Sequence, residues 1–242
     1  MSRVRIGMLT PSSNTVVEPI TESIIHTLAD VSAHYSRFKV TEISLSPSAL
    51  AQFQMTPFLN AAELLADAKV DVIAWNGTSA AWRGFHEDEQ LCASITAQFG
   101  MPATASMLAL NEIMRSRGVR KFGLVTPYIS EVQNRIVQNY AGAGFECVAE
   151  RHSGIQVNFD FSEIADEHIY AQTREVAAAK PEAILIACTN LRAAPLVAQM
   201  EADFGVPIYD STSAVVWRAL ALAKVQVNAA PQWGSLFAAA EP

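Results

Sequence analysis

Short apolar runs alternate along the chain with longer stretches in which apolar residues recur at helical spacing. The runs Val4 to Leu9, Val70 to Trp75, Phe122 to Val125 and Ala183 to Ala187 are too short for helices. They are apolar at consecutive positions, as strands covered on both faces are. Between them, "TPFLNAAELLADAK", "ASMLALNEIMRSRG" and "SEVQNRIVQNYAGAG" carry helical periodicity, and the last two close on a glycine near the expected C-cap. Strand, amphipathic helix, strand is the βαβ pattern of a parallel α/β sheet. The stretch Arg151 to His168 has the least regular pattern and is expected to form a loop over a site.

The pattern repeats. "IGMLTPSSNTVVEPI" (Ile6 to Ile20) lies on "FGLVTPYISEVQNRI" (Phe122 to Ile136) without a gap, pairing Gly7 with Gly123, Thr10 with Thr126, Pro11 with Pro127 and Val16 with Val132. Further on, "DVIAWNGTSAA" lies on "EAILIACTNLRAA", placing Gly77-Thr78-Ser79 over Cys188-Thr189-Asn190. "FGMPATAS" from Phe99 then lies on "FGVPIYDS" from Phe204. Three matches in one order define a duplicated lobe rather than a short-period solenoid. The expected architecture is two similar parallel-sheet α/β lobes related by a pseudo-twofold. Residues 1–112 with 213–242 form the N-terminal lobe and 113–212 the C-terminal one. Ligands bind at the carboxyl ends of strands in open α/β sheets, so the site is expected in the cleft between the lobes.

Composition narrows the function classes. Half of the 242 residues are hydrophobic, 17% are charged, and the mean hydropathy is +0.18. That content supports a packed core and is compatible with a homo-oligomer that covers some apolar surface. A formal charge of −7 without a Lys/Arg cluster argues against nucleic acid as a partner. No run approaches a membrane span, and the N-terminal "MSRVRIGMLTP" lacks the apolar core of a signal peptide. The three cysteines, Cys92, Cys147 and Cys188, are odd in number and irregularly spaced, which fits a reducing cytoplasm better than a disulfide framework. HExxH, CxxC, GxGxxG and GxxxxGK[ST] are all missing. Neither a metal nor a nucleotide cofactor is therefore expected.

The candidate chemistry lies where strands end. Cys188 closes an apolar strand and is followed by Thr189 and Asn190. The equivalent strand of the first lobe ends on Gly77, Thr78 and Ser79, whose hydroxyls and amides precede a helix N-terminus that favours an anion. The "PSSNT" loop with Asn14, the "TPY" loop with Tyr128, "NGTSAAWRG", the strand-ending Cys-Thr-Asn and "FGVPIYDSTSAVVWRAL" together resemble the aspartate/glutamate racemase superfamily. Within it they are most similar to the arylmalonate decarboxylase and maleate cis-trans isomerase branches.

The resemblance implies a cysteine in both lobes for racemases and the isomerase. Here the first position is Gly77 and only the second is Cys188, the asymmetric arrangement of the decarboxylase. Asn14 belongs to the isomerase form of its loop. By resemblance, Thr78, Ser79, Tyr128 and Thr189 cradle a retained carboxylate, Cys188 donates a proton, and Asn14 and Asn158 match positions that hold a substrate carboxylate. A single thiol suits decarboxylation of a substituted malonate, in which one acid protonates an enediolate from one side. It does not suit racemisation, which needs groups on both faces of one carbon. An isomerase or racemase of the same superfamily and a non-catalytic carboxylate-binding protein remain as alternatives.

Each of these residues also has a plainer reading. Cys188 could be a small buried hydrophobe, Ser12, Ser13 and Asn14 a helix cap, Tyr128 a packed aromatic, and Gly77 simply a tight turn. Cys92, on a helical face, and Cys147, in or near a strand, are read as structural. The "HEDE" run His86 to Glu89 is read as a solvated helix start with acids at the favourable end of the dipole.

Overall fold

The computed structural model describes residues 3–225 and 230–238. The first half runs β1 (Val4–Pro11), α1 (Val17–Ile25), β2 (Val31–Phe38), α2 (Pro47–Ala51), α3 (Met55–Asp67), β3 (Val72–Trp75), α4 (Ala80–Arg83), α5 (His86–Phe99), β4 (Ala103–Ala105) and α6 (Ser106–Ser116). The second half repeats the plan with β5 (Lys121–Thr126), α7 (Ser130–Gly142), β6 (Glu146–His152), α8 (Asp166–Ala177), β7 (Ala183–Ile186), α9 (Val197–Phe204), β8 (Ile208–Asp210) and α10 (Ser211–Leu222). Each half forms one four-stranded sheet. The orders are β2-β1-β3-β4 and β6-β5-β7-β8, with every ladder parallel. The two sheets therefore share one topology, as the internal repeat requires.

All four strands expected from apolar runs are present, within two residues at each end. Those without a run are the edge strands β2, "VSAHYSRF", and β6, "ECVAERH", which are mostly half-buried, and the three-residue β4 and β8. Edge strands carry polar side chains on their open face, so they lack a continuous apolar signal.

The repeated glycines have one physical purpose. A Cβ on Gly7 would stand 2.9 Å from Val70 Cγ2 and 3.2 Å from Leu65 Cδ1. On Gly123 it would overlap Val176 Cγ1 and lie 3.3 Å from Ile184 Cγ1. In the central strand of each sheet, glycine lets the covering helix, α3 or α8, settle directly onto the backbone.

α10 crosses back to pack on α1, α6, β3 and β4 of the first sheet. Residues 231–235 lie on the second half, where Ser235 gives both its N–H and its hydroxyl to the Glu201 carboxylate at 2.7 Å. Residues 226–229 and 239–242, grouped with the first lobe from sequence, lie outside the described residues. No helix among the described residues is long and apolar enough to cross a membrane.

The irregular stretch from Arg151 resolves into the end of β6, a crossing segment, a 3-10 turn at Phe159–Glu163 and the start of α8. The crossing segment joins the halves. Ile43 N–H donates to Gln156 O at 2.9 Å and Asn158 N–H to Thr41 O at 3.0 Å, around an antiparallel bridge between Glu42 and Val157.

One expectation is corrected. The acids at the start of α5 are not all solvated, because Asp88 is 2% exposed. Packing of α5 against β4 turns this side of the first turn inward, and burial holds the Asp88 carboxyl well above the usual carboxylate range.

Candidate active site

The residues that follow β3 and β7 meet between the two sheets and line one small cavity. Its walls are Pro11, Gly77, Thr78, Ser79, Tyr128, Asn158, Cys188 and Thr189, together with the apolar Val40, Ile43, Phe53, Trp75 and Trp82. None of these is charged. The cavity measures about 20 Å³, room for about one water.

The two halves are pinned together at this point. Thr78 Oγ1 lies 2.6 Å from the Tyr128 hydroxyl, and Thr189 Oγ1 donates to the Asn76 carbonyl at 3.0 Å. Asn14 acts as cap and brace at once. Its Oδ1 accepts from the N–H groups of Val16 and Val17 at 2.9 Å, while its Nδ2 donates to Thr189 Oγ1 at 3.4 Å. It lies behind the lining rather than in it. Asn158 lines the cavity and gives its amide to Ser13 Oγ at 2.7 Å. Asn190, beside the nominated pair, accepts from Thr15 N–H at 2.9 Å and donates to Asn158 O at 2.6 Å. The helix after Ser79 is a single turn, so its dipole is small and the discrete donors dominate.

Cys188 is 2% exposed. Burial pushes its thiol up to about 12, and the nearby Asp210 carboxylate adds to the rise, while the Tyr128 hydroxyl and the N–H groups of Asn190 and Leu191 favour the thiolate and offset part of it. The neutral thiol therefore holds at neutral pH. Tyr128 is raised well above the usual phenol range, mainly by burial, and remains a neutral donor. Cys92 sits on α5 and Cys147 in β6, both outside the cavity lining.

Sequence patterns gave no signal for Asp210. It pairs in register with Ile186, two residues before Cys188. Its Oδ1 caps α10, accepting from Thr212 N–H at 2.9 Å and Ser213 N–H at 2.8 Å, and burial lifts its carboxyl to about 7. The Thr212 hydroxyl in turn donates to Thr189 O at 3.4 Å.

The apolar wall was also unmarked in the sequence. Trp75 is 1% exposed and packs on Phe38 and Phe58 with ring centroids 5.2 and 4.8 Å away. Trp82 meets Phe53 and Tyr128 edge-on at 6.1 and 5.2 Å. The indole N–H groups of Trp75 and Trp82 are buried with no partner among the described residues. Among those residues, no three His, Cys, Asp or Glu side chains cluster as a metal ion requires.

Two sheets of one topology, with a buried thiol between them and hydroxyl donors from both, define a class of duplicated α/β enzymes that act at an interlobe cleft. The chain belongs to the arylmalonate decarboxylase family, whose sequence profile matches residues 13–237. It is 28% identical over 219 residues to the maleate isomerase of Nocardia farcinica, covering 87% of this chain and 86% of that one. To the arylmalonate decarboxylase of Bordetella bronchiseptica it is 28% identical over 172 residues, 69% and 70% of the two chains. The maleate isomerase Iso of Pseudomonas putida S16 shares the fold with a TM-score of 0.89 at 22% identity over 99% of this chain and all of that one. A cysteine-to-serine variant of the Nocardia farcinica maleate cis-trans isomerase, solved with a covalently bound succinylcysteine intermediate, superposes with a TM-score of 0.86 at 25% identity over 98% of both chains.

Proposed function

We propose that the protein is a cofactor-independent decarboxylase of substituted malonates, with Cys188 as the proton donor. The observation that carries this reading is the asymmetry of the cleft, in which one buried neutral thiol, Cys188, faces Gly77 at the equivalent place in the other lobe. The carbon–carbon bond to one carboxylate breaks and carbon dioxide leaves. Its electron pair passes into the remaining carboxylate to give an enediolate, held by Thr78, Ser79, Tyr128 and Thr189. Such preorganised donors are worth several kcal/mol in a buried site (~3 each). The Cys188 S–H then protonates the carbanionic carbon from its own side, and water restores the thiol.

The uncharged lining supports the same choice. Two carboxylates are costly to hold where no cation faces them, and decarboxylation removes one as a neutral gas. Maleate isomerisation keeps both charges throughout. The isomerase is the second reading, favoured by the maleate isomerases among the relatives. For both, the substrate is a small carboxylic acid.

The deciding experiment offers aryl- and alkylmalonates, maleate and amino or hydroxy acids to the purified protein, measuring carbon dioxide release and product chirality. Enantiopure monoacid from a prochiral malonate is the expected outcome. Fumarate from maleate without gas release would replace this reading by the isomerase.

A further inference from the structure

The place across the cleft from Cys188 is not open. A Cβ built on Gly77 would overlap Cζ2 of Trp75, lie 2.5 Å from its Cε2 and 2.7 Å from its Cη2. Trp75 belongs to the end of β3, two residues earlier, and its six-membered ring is folded over the glycine. The ring is held there by Phe38 and Phe58. Its Nε1, bonded to the same Cε2, is buried without a partner among the described residues, and Trp75 lines the cavity.

We infer that Trp75 is the specificity-determining residue of the first-lobe side of the cleft: its indole occupies the place of a second acid/base group and offers a substrate oxygen a hydrogen-bond donor that does not titrate. An indole N–H donates but does not accept, and unlike a thiol it neither takes a proton from carbon nor returns one at ordinary pH. A buried donor left unpaired costs stability, a cost offset once an acceptor binds. A carboxylate or α-oxygen of the substrate is such an acceptor. Protonation is thereby confined to the Cys188 side, by occupation of the other side and not only by the absence of a thiol there. This rests on the decarboxylase reading above and adds to it what enforces single-sided chemistry.

The test compares Trp75→Phe, Trp75→Leu, Gly77→Cys and the double variant Trp75→Leu with Gly77→Cys in the full chain. The readouts are thermal midpoint, steady-state turnover of a 2-aryl-2-methylmalonate, and exchange of the α-hydrogen of the resulting 2-arylpropionate in deuterium oxide. Gly77→Cys alone is expected to lower the midpoint by several degrees, because its Cβ meets the ring. The double variant recovers most of that loss. It also exchanges the α-hydrogen and racemises the acid: the introduced thiolate removes the proton, the electron pair enters the carboxylate as an enediolate, and Cys188 returns a proton from the other face. Trp75→Phe removes the donor without adding a thiol on that side, so KM rises several-fold while product handedness is kept.

An unchanged midpoint in Gly77→Cys, with no coupling to Trp75→Leu, overturns the placement of the ring. Coupled midpoints without α-exchange in the double variant overturn its role in specificity, and an unchanged KM in Trp75→Phe overturns the donor role. If the unaltered protein decarboxylates no malonate, the proposed function fails, while the midpoints still judge the position of Trp75.

Discussion

The hydroxyls of Thr78 and Tyr128 lie 2.6 Å apart, one from each half of the chain, and this pair joins the two lobes within the cavity lining. Both side chains are buried, so loss of either leaves the other without its partner. Thr78→Val and Tyr128→Phe are each expected to cost roughly 1–3 kcal/mol of stability and about 10²–10³ in kcat. The double variant should lose much less than the sum, since the pair acts as one unit. Denaturation and steady-state kinetics on the three variants measure both effects, and additive losses would count against a coupled pair.

Cys188→Ser replaces sulfur by oxygen at a buried position on the cavity wall. Turnover is expected to fall by orders of magnitude because a serine hydroxyl is a far weaker acid than a thiol, while the far-ultraviolet spectrum and thermal midpoint stay close to those of the unaltered chain. A folded serine variant that still releases carbon dioxide at the original rate would exclude Cys188 as the donor.

The Cys188 thiol, pushed up to about 12, sets the pH dependence. A proton donor must be neutral, so turnover should be flat from neutrality to about pH 10 and decline only as the thiol ionises, well above the ordinary cysteine value of ~8.5. Iodoacetamide should modify Cys188 slowly at neutral pH. A rate that climbs through pH 8–9 with rapid alkylation would instead mark a thiolate mechanism. Stability follows the same group. Its folded pKa exceeds the unfolded one, so its contribution is complete below about pH 8.5 and is lost as pH rises toward 12.

Asp210 titrates near 7 in the folded chain against about 3.9 when unfolded. The folded state therefore holds its proton where the unfolded state has released it. Its contribution is full below about pH 4 and falls as pH rises to 7, by on the order of a few kcal/mol. Asp210→Asn keeps a capping oxygen for Thr212 and Ser213 and removes the titration. The difference in stability between the two proteins should drift in the variant's favour from pH 4 to 7. A constant difference across that range would contradict the burial-driven shift.

Gly123→Ala puts a methyl group against Val176 Cγ1, and overpacking of this kind costs roughly 1–3 kcal/mol. Gly7→Ala meets Val70 Cγ2 at 2.9 Å and should cost less. Urea titration of the two variants orders them, and a reversed order would show that Val70 and Leu65 yield less readily than Val176.

Much of this protein was legible in one dimension. The four central strands follow from uninterrupted apolar runs, since a strand covered on both faces has no polar side to show. The duplicated lobe follows from repeated residues such as Gly7 and Gly123, each kept small by the helix above it. Strand-end positions converge in a parallel sheet, which places Cys188 at the cleft, while Thr78, Ser79, Tyr128, Asn158 and Thr189, which line the same cavity, were expected there from the family resemblance. Tertiary structure decided the rest. Edge strands β2 and β6 mix polar and apolar residues and so resemble loops in sequence. Asp88 turned inward because α5 packs on its acidic turn. Asn14 fell behind the lining because its side chain is used to cap α1 and brace Thr189. The ring of Trp75 over Gly77 and the Asp210 carboxyl near Cys188 depend on χ angles and on the register of neighbouring strands. A pattern of apolar and polar positions specifies which face is buried, and only packing in three dimensions specifies which buried groups touch.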